Sequence, residues 1–237
     1  MKILKSIAVP TTAGTGSEVG RAAVIVDPKE HNKKIIFHPQ MQPDLVIADP
    51  GLTLGLPPRL TAATGMDALA HCFEAYCAPA YHPMADGIAL EGMRLIGENL
   101  TRAFDDGRDE IARTHLLMAA AMGATAFQKG LGLIHALSHP VAGMTGLPHG
   151  TANAIFQPYV MIHNRAVIEQ RMPRLARTLG LREETFDGLL EWTLELRRRL
   201  RLPHTLDGIV QEDMIERLVP MAAEDPSLAT NPKPCSS

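Results

Sequence analysis

The sequence predicts a mainly α-helical protein with a short β element at its N-terminus. From Pro57 onward, apolar residues recur at the three- and four-residue spacing of helices, whereas before Pro57 they form short runs bounded by turn residues. A group of strands followed by a group of helices favours a predominantly α domain that carries a small β element.

The N-terminal part contains three apolar runs, at residues 22–26, 34–37 and 45–48, which fit strands better than helices. Turn-forming pairs follow them, such as Asp27-Pro28 and Asp49-Pro50. The preceding segment PTTAGTGSE, at residues 10–18, is rich in glycine and small hydroxyl residues. We therefore predict a loop there, before the strands.

The rest of the chain predicts seven or eight helices. Pro83 suits the first turn of a helix, Gly130 is a natural stop, and Pro140 is expected to kink or end the helix that contains it. Helical spacing covers residues 60–76, 83–104, 109–129, 133–144, 151–163, 166–179, 183–200 and 209–223.

Composition limits the classes of function. The 237 residues are 46% hydrophobic and 21% charged, which is ordinary for a globular protein, and a net charge of -3 gives no reason to expect nucleic acid. No apolar run is long enough for a membrane helix, and no signal peptide is recognisable at the N-terminus. Three cysteines without a CxxC pair indicate a reducing compartment, so we expect a cytoplasmic protein.

Histidines and one aspartate form the most informative pattern. Asp67 and His71 are four residues apart, and His135 and His139 repeat that spacing, so each pair shares one helix face. His149 is predicted at the start of a further helix. Three imidazoles and a carboxylate would form a set of ligands for a borderline divalent metal.

A structural role is the alternative for each of these residues taken alone. A single histidine on an apolar helix is more often a hydrogen-bonded core residue than a ligand, and an Asp–His pair can simply stabilise a helix. Cys72, beside His71, is expected to pack in the core. The structural explanation is retained for the other six histidines: His31, His38, His82, His115, His163 and His204.

Sequence context adds a family resemblance. GMDALAHCFE at residues 65–74 follows DPGLT at 49–53, and GLGLIHALSHP at 130–140 precedes LPHG at 147–150. Together these motifs resemble both signature regions of the iron-containing alcohol dehydrogenases. The loop at residues 10–18 is similar to the family's cofactor-side loop, and Asn231-Pro232 after Asp225 resembles its late motif.

The resemblance implies a role for each matching residue. Asp67, His71, His135 and His149 would bind the metal, and His139 would lie beside it, near the nicotinamide or in the proton path. Glu74 matches the signature but is expected only to support its helix. Further residues would line the dinucleotide site, namely Thr11, Thr12, Thr15, Ser17 and Lys34.

The resemblance also implies an activity and a fold, the helical metal-binding domain of the iron-type alcohol dehydrogenases (dehydroquinate synthase-like). The reaction would be metal-dependent, NAD(P)-linked oxidation of an alcohol to an aldehyde or ketone, or its reverse. Fe(II) is the expected metal, with zinc as the alternative, and the cofactor is NAD or NADP. We expect a homo-oligomer, a dimer, that binds a small alcohol or aldehyde and neither nucleic acid nor a membrane.

The chain departs from the family at its N-terminus. Members begin with a glycine-rich dinucleotide-binding α/β domain, whereas this chain starts almost at the threonine-containing loop. We predict that residues 1–56 are a remnant of that cofactor-side domain and that residues 57–237 form the all-α catalytic domain. Two alternatives stay open: a truncated, non-catalytic metal-binding module, and a maleylacetate-reductase-like reductase that uses little or no metal.

Overall fold

Helix α1 (Pro58–Cys77) lies at the centre of the computed structural model, which describes residues 5–26 and 33–235. Helices α2 (Pro83–Asp105), α3 (Glu110–Ala126) and α5 (His149–Ile168) all pack against it. As a result, every residue of α1 from Gly65 to Cys77 is buried. Polar side chains on this helix are therefore held in fixed positions inside the protein.

The remaining helices surround this core. Helix α4 (Leu133–Thr145) packs against α5 and against α8 (Glu212–Ala223). Helix α6 (Met172–Thr178) contacts α7 (Phe186–Arg199), which also packs on α5. No single helix in the described part of the chain is long and apolar enough to cross a membrane. Segments Glu110–Lys129 and Leu133–Thr145, which meet at a bend of 114°, reach that length and apolar composition only when taken together.

Two small sheets form the N-terminal β element. Strand β1 (Ile7–Ala8) pairs in parallel with β4 (Leu45–Val46), while β2 (Ala22–Val26) pairs antiparallel with β3 (Lys33–Phe37). Apolar side chains on both sheets are exposed to solvent, including those of Ile7, Leu45, Ile36 and Phe37. A two-stranded parallel pair is unusual on its own, because parallel sheets are normally covered on both faces.

The predicted fold class is confirmed; strand β1 was not predicted, and most of the other differences concern the ends of elements. The strand predicted at residues 45–48 ends at Val46. The predicted boundary between the helices at 151–163 and 166–179 is wrong, because α5 begins at His149 and runs unbroken to Ile168. No glycine or proline interrupts residues 160–168, so nothing stops the helix there. Helix α8 begins at Glu212, later than the predicted 209.

Pro140 neither ends α4 nor prevents its last turn. The helix continues through it to Thr145 and ends at Gly146, whose φ of 71° suits glycine. The predicted alternative that Pro140 ends the helix is therefore wrong. The continuation keeps His135 and His139 on one helix, one turn apart.

Close contact between helix backbones fixes the relative positions of α1, α3 and α5. A Cβ atom added to Gly150 would collide with the carbonyl group of Ala63 in α1. At Gly123 an added Cβ would lie 3.2 Å from both the Cβ of His71 and the Sγ of Cys72. An added Cβ at Gly150 could not be accommodated without displacing α1, which carries two of the predicted metal ligands, whereas one at Gly123 would require its neighbours to give by a few tenths of an ångström.

Candidate metal centre

Four side chains from three helices meet at one point in the interior. Helix α1 supplies Asp67 and His71, α4 supplies His135, and α5 supplies His149 in its first turn. The Oδ1 atom of Asp67 lies 3.8 Å from Nε2 of His71, 3.7 Å from Nε2 of His135 and 3.5 Å from Nε2 of His149. The four residues predicted as metal ligands are thus neighbours in space.

Three of these residues form the tightest group. One donor atom from each of Asp67, His71 and His135 lies within 4.8 Å of the other two, and all three residues are buried. The imidazoles of His71 and His135 stack, with ring centroids 4.5 Å apart. His149 stands at the more open side, with 28% of its side chain exposed. The opening of the site is therefore on the side of His149.

The protonation states suit a cation site. Burial lowers the pKa of His71 to about 4 and that of His149 to about 3, so both imidazoles are neutral near pH 7. Burial opposes ionisation of Asp67, but the neighbouring His71, His135 and His149 hold the pKa of that carboxyl below its usual value. A buried carboxylate facing three imidazoles, two of which are neutral, is a donor set that fits a divalent metal once His135 releases its proton.

Glu74 supports His135 from behind. The Oε2 atom of this buried glutamate is 2.5 Å from Nδ1 of His135, and its Oε1 accepts a 2.6 Å hydrogen bond from the backbone N–H of Ile134. Burial opposes protonation of His135, but the charges of Glu74 and Asp67 outweigh it and raise its pKa to about 9. Because Nδ1 is occupied, Nε2 of His135 is the atom directed at Asp67.

Asn153 is a site residue that the sequence analysis missed. Its Nδ2 donates a 2.8 Å hydrogen bond to Oδ1 of Asp67 and lies 3.4 Å from Nε2 of His149 and 3.5 Å from Nε2 of His135. The buried Oδ1 of Asn153 has no partner among the described residues. A usable signal was present, because Asn153 follows His149 by four residues, the same spacing as Asp67 and His71.

His139 lies beside this group and has a different partner. Its Nδ1 is 2.7 Å from Oδ2 of Asp225, in the segment after α8, and its ring stacks on that of His149 with centroids 5.1 Å apart. Burial would raise the pKa of Asp225, but the bond to His139 lowers it. Asp225 was noted in the sequence only as a marker of the late motif, because 86 residues separate it from His139.

The predicted cofactor-side residues lie mostly in one loop at the edge of the site. Thr11, Thr12, Thr15 and Ser17 are exposed, while Ala13, Gly14, Gly16 and Glu18 between them are buried. The Oγ1 atom of Thr15 lies 3.5 Å from Oδ2 of Asp67, which places the loop next to the metal-site residues. Lys34 lies in β3, where its backbone pairs with Ile25.

Comparison with known proteins identifies the class to which this fold and site belong. Residues 61–237 match the C-terminal region of the Fe-containing alcohol dehydrogenase family, and residues 1–50 match the iron-containing alcohol dehydrogenase family. The chain belongs to the Fe-containing alcohol dehydrogenase family.

Among characterised relatives, 4-hydroxybutyrate dehydrogenase of Cupriavidus necator is 44% identical over 242 residues, which cover 98% of this chain and 62% of that protein. Alcohol dehydrogenase 4 of Schizosaccharomyces pombe is 40% identical over 235 residues, which cover 97% of this chain and 55% of that protein. The chain therefore spans less than two thirds of the length of these relatives.

Solved structures show the same fold. A 1,3-propanediol oxidoreductase superimposes with a TM-score of 0.94 at 32% identity, over 98% of this chain and 63% of that one. A sulfoacetaldehyde reductase from Bifidobacterium kashiwanohense, solved in complex with NAD+, gives a TM-score of 0.91 at 31% identity, over 99% of this chain and 62% of that one. The helical architecture is thus shared with an oxidoreductase and with a reductase solved with NAD+ bound.

Proposed function

We propose that this chain is the metal-binding part of an NAD(P)-dependent alcohol dehydrogenase, which interconverts an alcohol and an aldehyde or ketone by hydride transfer. The observation that carries the proposal is the position of the Nε2 atoms of His71, His135 and His149, each within 3.8 Å of one oxygen of Asp67. Membership of the Fe-containing alcohol dehydrogenase family supports the same activity.

The four residues Asp67, His71, His135 and His149 would hold the metal. The family name favours Fe(II), while three nitrogen donors and one carboxylate would also accept zinc. When bound, a dication supplies Lewis acid chemistry, which polarises the oxygen of the alcohol or carbonyl group. Glu74 would keep Nε2 of His135 available to the ion by occupying the opposite ring nitrogen.

His139 is proposed as the catalytic residue that moves the proton. Its Nδ1 is held by Asp225, so Nε2 is the atom left to exchange a proton with the substrate side of the site. About a quarter of its side chain is exposed, at 24%, whereas that of His135 is almost fully buried. A proton can therefore pass from the buried site to water through His139.

The cofactor would lie against the exposed hydroxyl groups of the loop at residues 10–18. We assign Thr11, Thr12, Thr15, Ser17 and Lys34 to the dinucleotide site, because Thr15 lies beside Asp67 and the hydroxyl residues around it are exposed. In this scheme residues 1–56 form the cofactor-side part and residues 57–237 the catalytic domain. A relative that binds NAD+ supports a nicotinamide cofactor.

The proposed substrates are small alcohols and their aldehydes. Two relatives are named for 4-hydroxybutyrate and 1,3-propanediol, which makes hydroxy acids and diols the first compounds to assay. The proposed assembly is a homodimer. Exposed apolar side chains on the two N-terminal sheets provide a surface that a further polypeptide would cover.

The test combines metal analysis with a turnover assay. The purified chain is loaded with Fe(II) or Zn(II), dialysed and analysed for metal, and the same sample is assayed by nicotinamide absorbance. Asp67→Ala and His149→Ala should each lose bound metal, whereas His204→Ala, which changes an exposed histidine outside the site, should keep it. Metal retention by both site variants would overturn the metal assignment.

A second candidate, which the sequence leaves open, is a non-catalytic metal-binding module. All four proposed metal ligands lie within residues 61–237, the part that matches the C-terminal region of the family. Metal binding without nicotinamide-dependent turnover would support this candidate. Turnover that persists after a chelator has removed the metal would instead support the other alternative, a maleylacetate-reductase-like reductase that needs little or no metal.

A further inference from the structure

A cavity lies on the opposite side of α5 from the candidate metal centre. His149 and Asn153 are four residues apart and face Asp67, whereas Thr151, between them, points about 200° away around the helix. Thr151 lines a cavity of about 540 Å³, within the size range of small-molecule sites. This cavity is therefore separated from the metal centre by the body of α5.

The walls of the cavity combine apolar surface with positive charge. Phe104, Leu147, Leu202 and Ile209 are among its apolar lining residues, and Arg59 also lines it. Arg201 is the second arginine of the lining, and none of the described lining residues is acidic. The cavity is thus suited to a molecule with an apolar body and an anionic head.

The arginines have no competing partner among the described residues. Neither Arg59 nor Arg201 forms a side-chain hydrogen bond or ion pair there, whereas the neighbouring Arg199 binds Asp105. Unpaired guanidinium groups beside a cavity remain available for a carboxylate or phosphate, which they bind through two parallel N–H···O bonds.

Thr151 adds a buried polar group that lacks a partner. The residue is 2% exposed, and its Oγ1 accepts and donates no hydrogen bond among the described residues. A buried hydroxyl without a partner is uncommon, and rotation about the Cα–Cβ bond can move the hydroxyl to another staggered position. A ligand in the cavity would give this hydroxyl the partner that it lacks.

The backbone at Arg201 is unusual for an arginine. With φ of 56°, Arg201 is the one non-glycine residue in the left-handed region within the described chain. It ends α7 in the same hydrogen-bond arrangement with which Gly180 ends α6: Leu202 N bonds Arg197 O, and Leu181 N bonds Ala176 O. Glycine is preferred at such a position, so an arginine there is unusual on backbone grounds.

We propose that this cavity binds a small organic anion, with a carboxylate or phosphate head held by Arg201 and Arg59 and an apolar body lying against Phe104 and Ile209. Thr151 bonds the head or the atom next to it. Both anionic heads share the chemistry that guanidinium groups recognise, and the site is independent of the metal-dependent activity proposed above.

The test is isothermal titration of the chelator-treated chain, in which a carboxylate has no metal to bind. Hexanoate, hexyl phosphate, hexan-1-ol and inorganic phosphate serve as probes. One of the two six-carbon anions should bind with a Kd below about 1 mM, and at least tenfold more tightly than neutral hexan-1-ol or inorganic phosphate. The more tightly bound anion identifies the preferred head group.

Two variants and a control connect binding to the cavity. Arg201→Gly should weaken anion binding roughly tenfold or more while the thermal midpoint stays equal or rises, because glycine suits the backbone at that position. Thr151→Val should weaken it by a smaller factor, and the exposed Arg182→Gln, which removes the same charge elsewhere, should leave it unchanged. Parent-like binding by Arg201→Gly, equal binding of hexan-1-ol, or no saturation by about 10 mM of either anion overturns the proposal.

Discussion

The carboxylate of Glu74 holds the imidazole of His135 by its Nδ1, at 2.5 Å, while the same carboxylate accepts the N–H of Ile134. Two links therefore join α1 to the first turn of α4. Since His135 is 1% exposed, its ring is shielded from bulk water, and the bond from Glu74 to Nδ1 leaves Nε2 facing Asp67.

Replacing Glu74 by Gln should lower metal affinity. The amide removes the negative charge beside His135 and can present an N–H to a nitrogen that already carries one. We expect the affinity for Zn(II) to fall about 10- to 100-fold, as for other residues that support a metal-bound histidine. Competition with a chromophoric chelator measures it. Glu98→Gln, at an exposed glutamate paired with Arg94, is the control, and an unchanged affinity in Glu74→Gln would contradict the assignment.

The pairing of Asp225 with His139 should stabilise the fold in a pH-dependent way. Because the pKa of Asp225 is held below its ordinary value of 3.8, the pair contributes stability above that value and loses it as the pH falls through the lowered pKa. Asp225→Asn should therefore be less stable than the parent at neutral pH, by about 1 kcal/mol or more, and the difference should shrink as the pH falls below about 4. Urea unfolding of both proteins at several pH values measures this, and a constant difference would contradict the pairing.

Two glycines on helices should respond in opposite ways to the same change. Gly150→Ala would push α5 away from the Ala63 carbonyl, so we expect a loss of about 1–3 kcal/mol and weaker metal binding. Gly87→Ala, in exposed helix with no atom within 4 Å of the added Cβ, should gain about 0.5–1 kcal/mol. Denaturant unfolding gives the free energy of unfolding of both variants. Equal changes in the two variants would mean that α1 and α5 are not in close contact.

The cysteines should differ sharply in reactivity. Burial raises the pKa of both Cys72 and Cys77 to about 12, whereas Cys235 is exposed. The two buried thiols stay protonated and inaccessible through pH 9, so an aromatic disulfide reagent should modify Cys235 alone in the folded chain. All three should react in denaturant. Rapid modification of a second thiol in the native protein would show that α1 is less tightly enclosed than described.

The sequence predicted most of the helical part because local signals mark it. Helix α1 was predicted at residues 60–76 and spans Pro58–Cys77, since its apolar residues and the flanking prolines are readable in the chain. The continuation of α5 past residue 163 was missed. Packing of Asn164 and Ile168 in the interior keeps that helix intact, and local spacing does not report such packing.

In the candidate site, too, some residues could be predicted from local spacing and others could not. The pairs Asp67–His71 and His135–His139 were visible as four-residue spacings, whereas their assignment as ligands came from the family resemblance. The contact of Asp225 with His139 joins residues 86 apart, and Asn153 was not predicted because an asparagine is most often a surface residue. Distances between helices depend on packing that no local pattern encodes.

The four candidate metal-site residues lie on three separate helices, and this affects how a bound ion would connect distant parts of the chain. An ion held by Asp67 and His149 would close the intervening polypeptide into a ring, as a disulfide does, and so restrict the unfolded chain. Release of the metal ion by these side chains would then be a step in unfolding. The rate at which the protein loses its structure in denaturant would follow the supply of chelator as well as the strength of the denaturant.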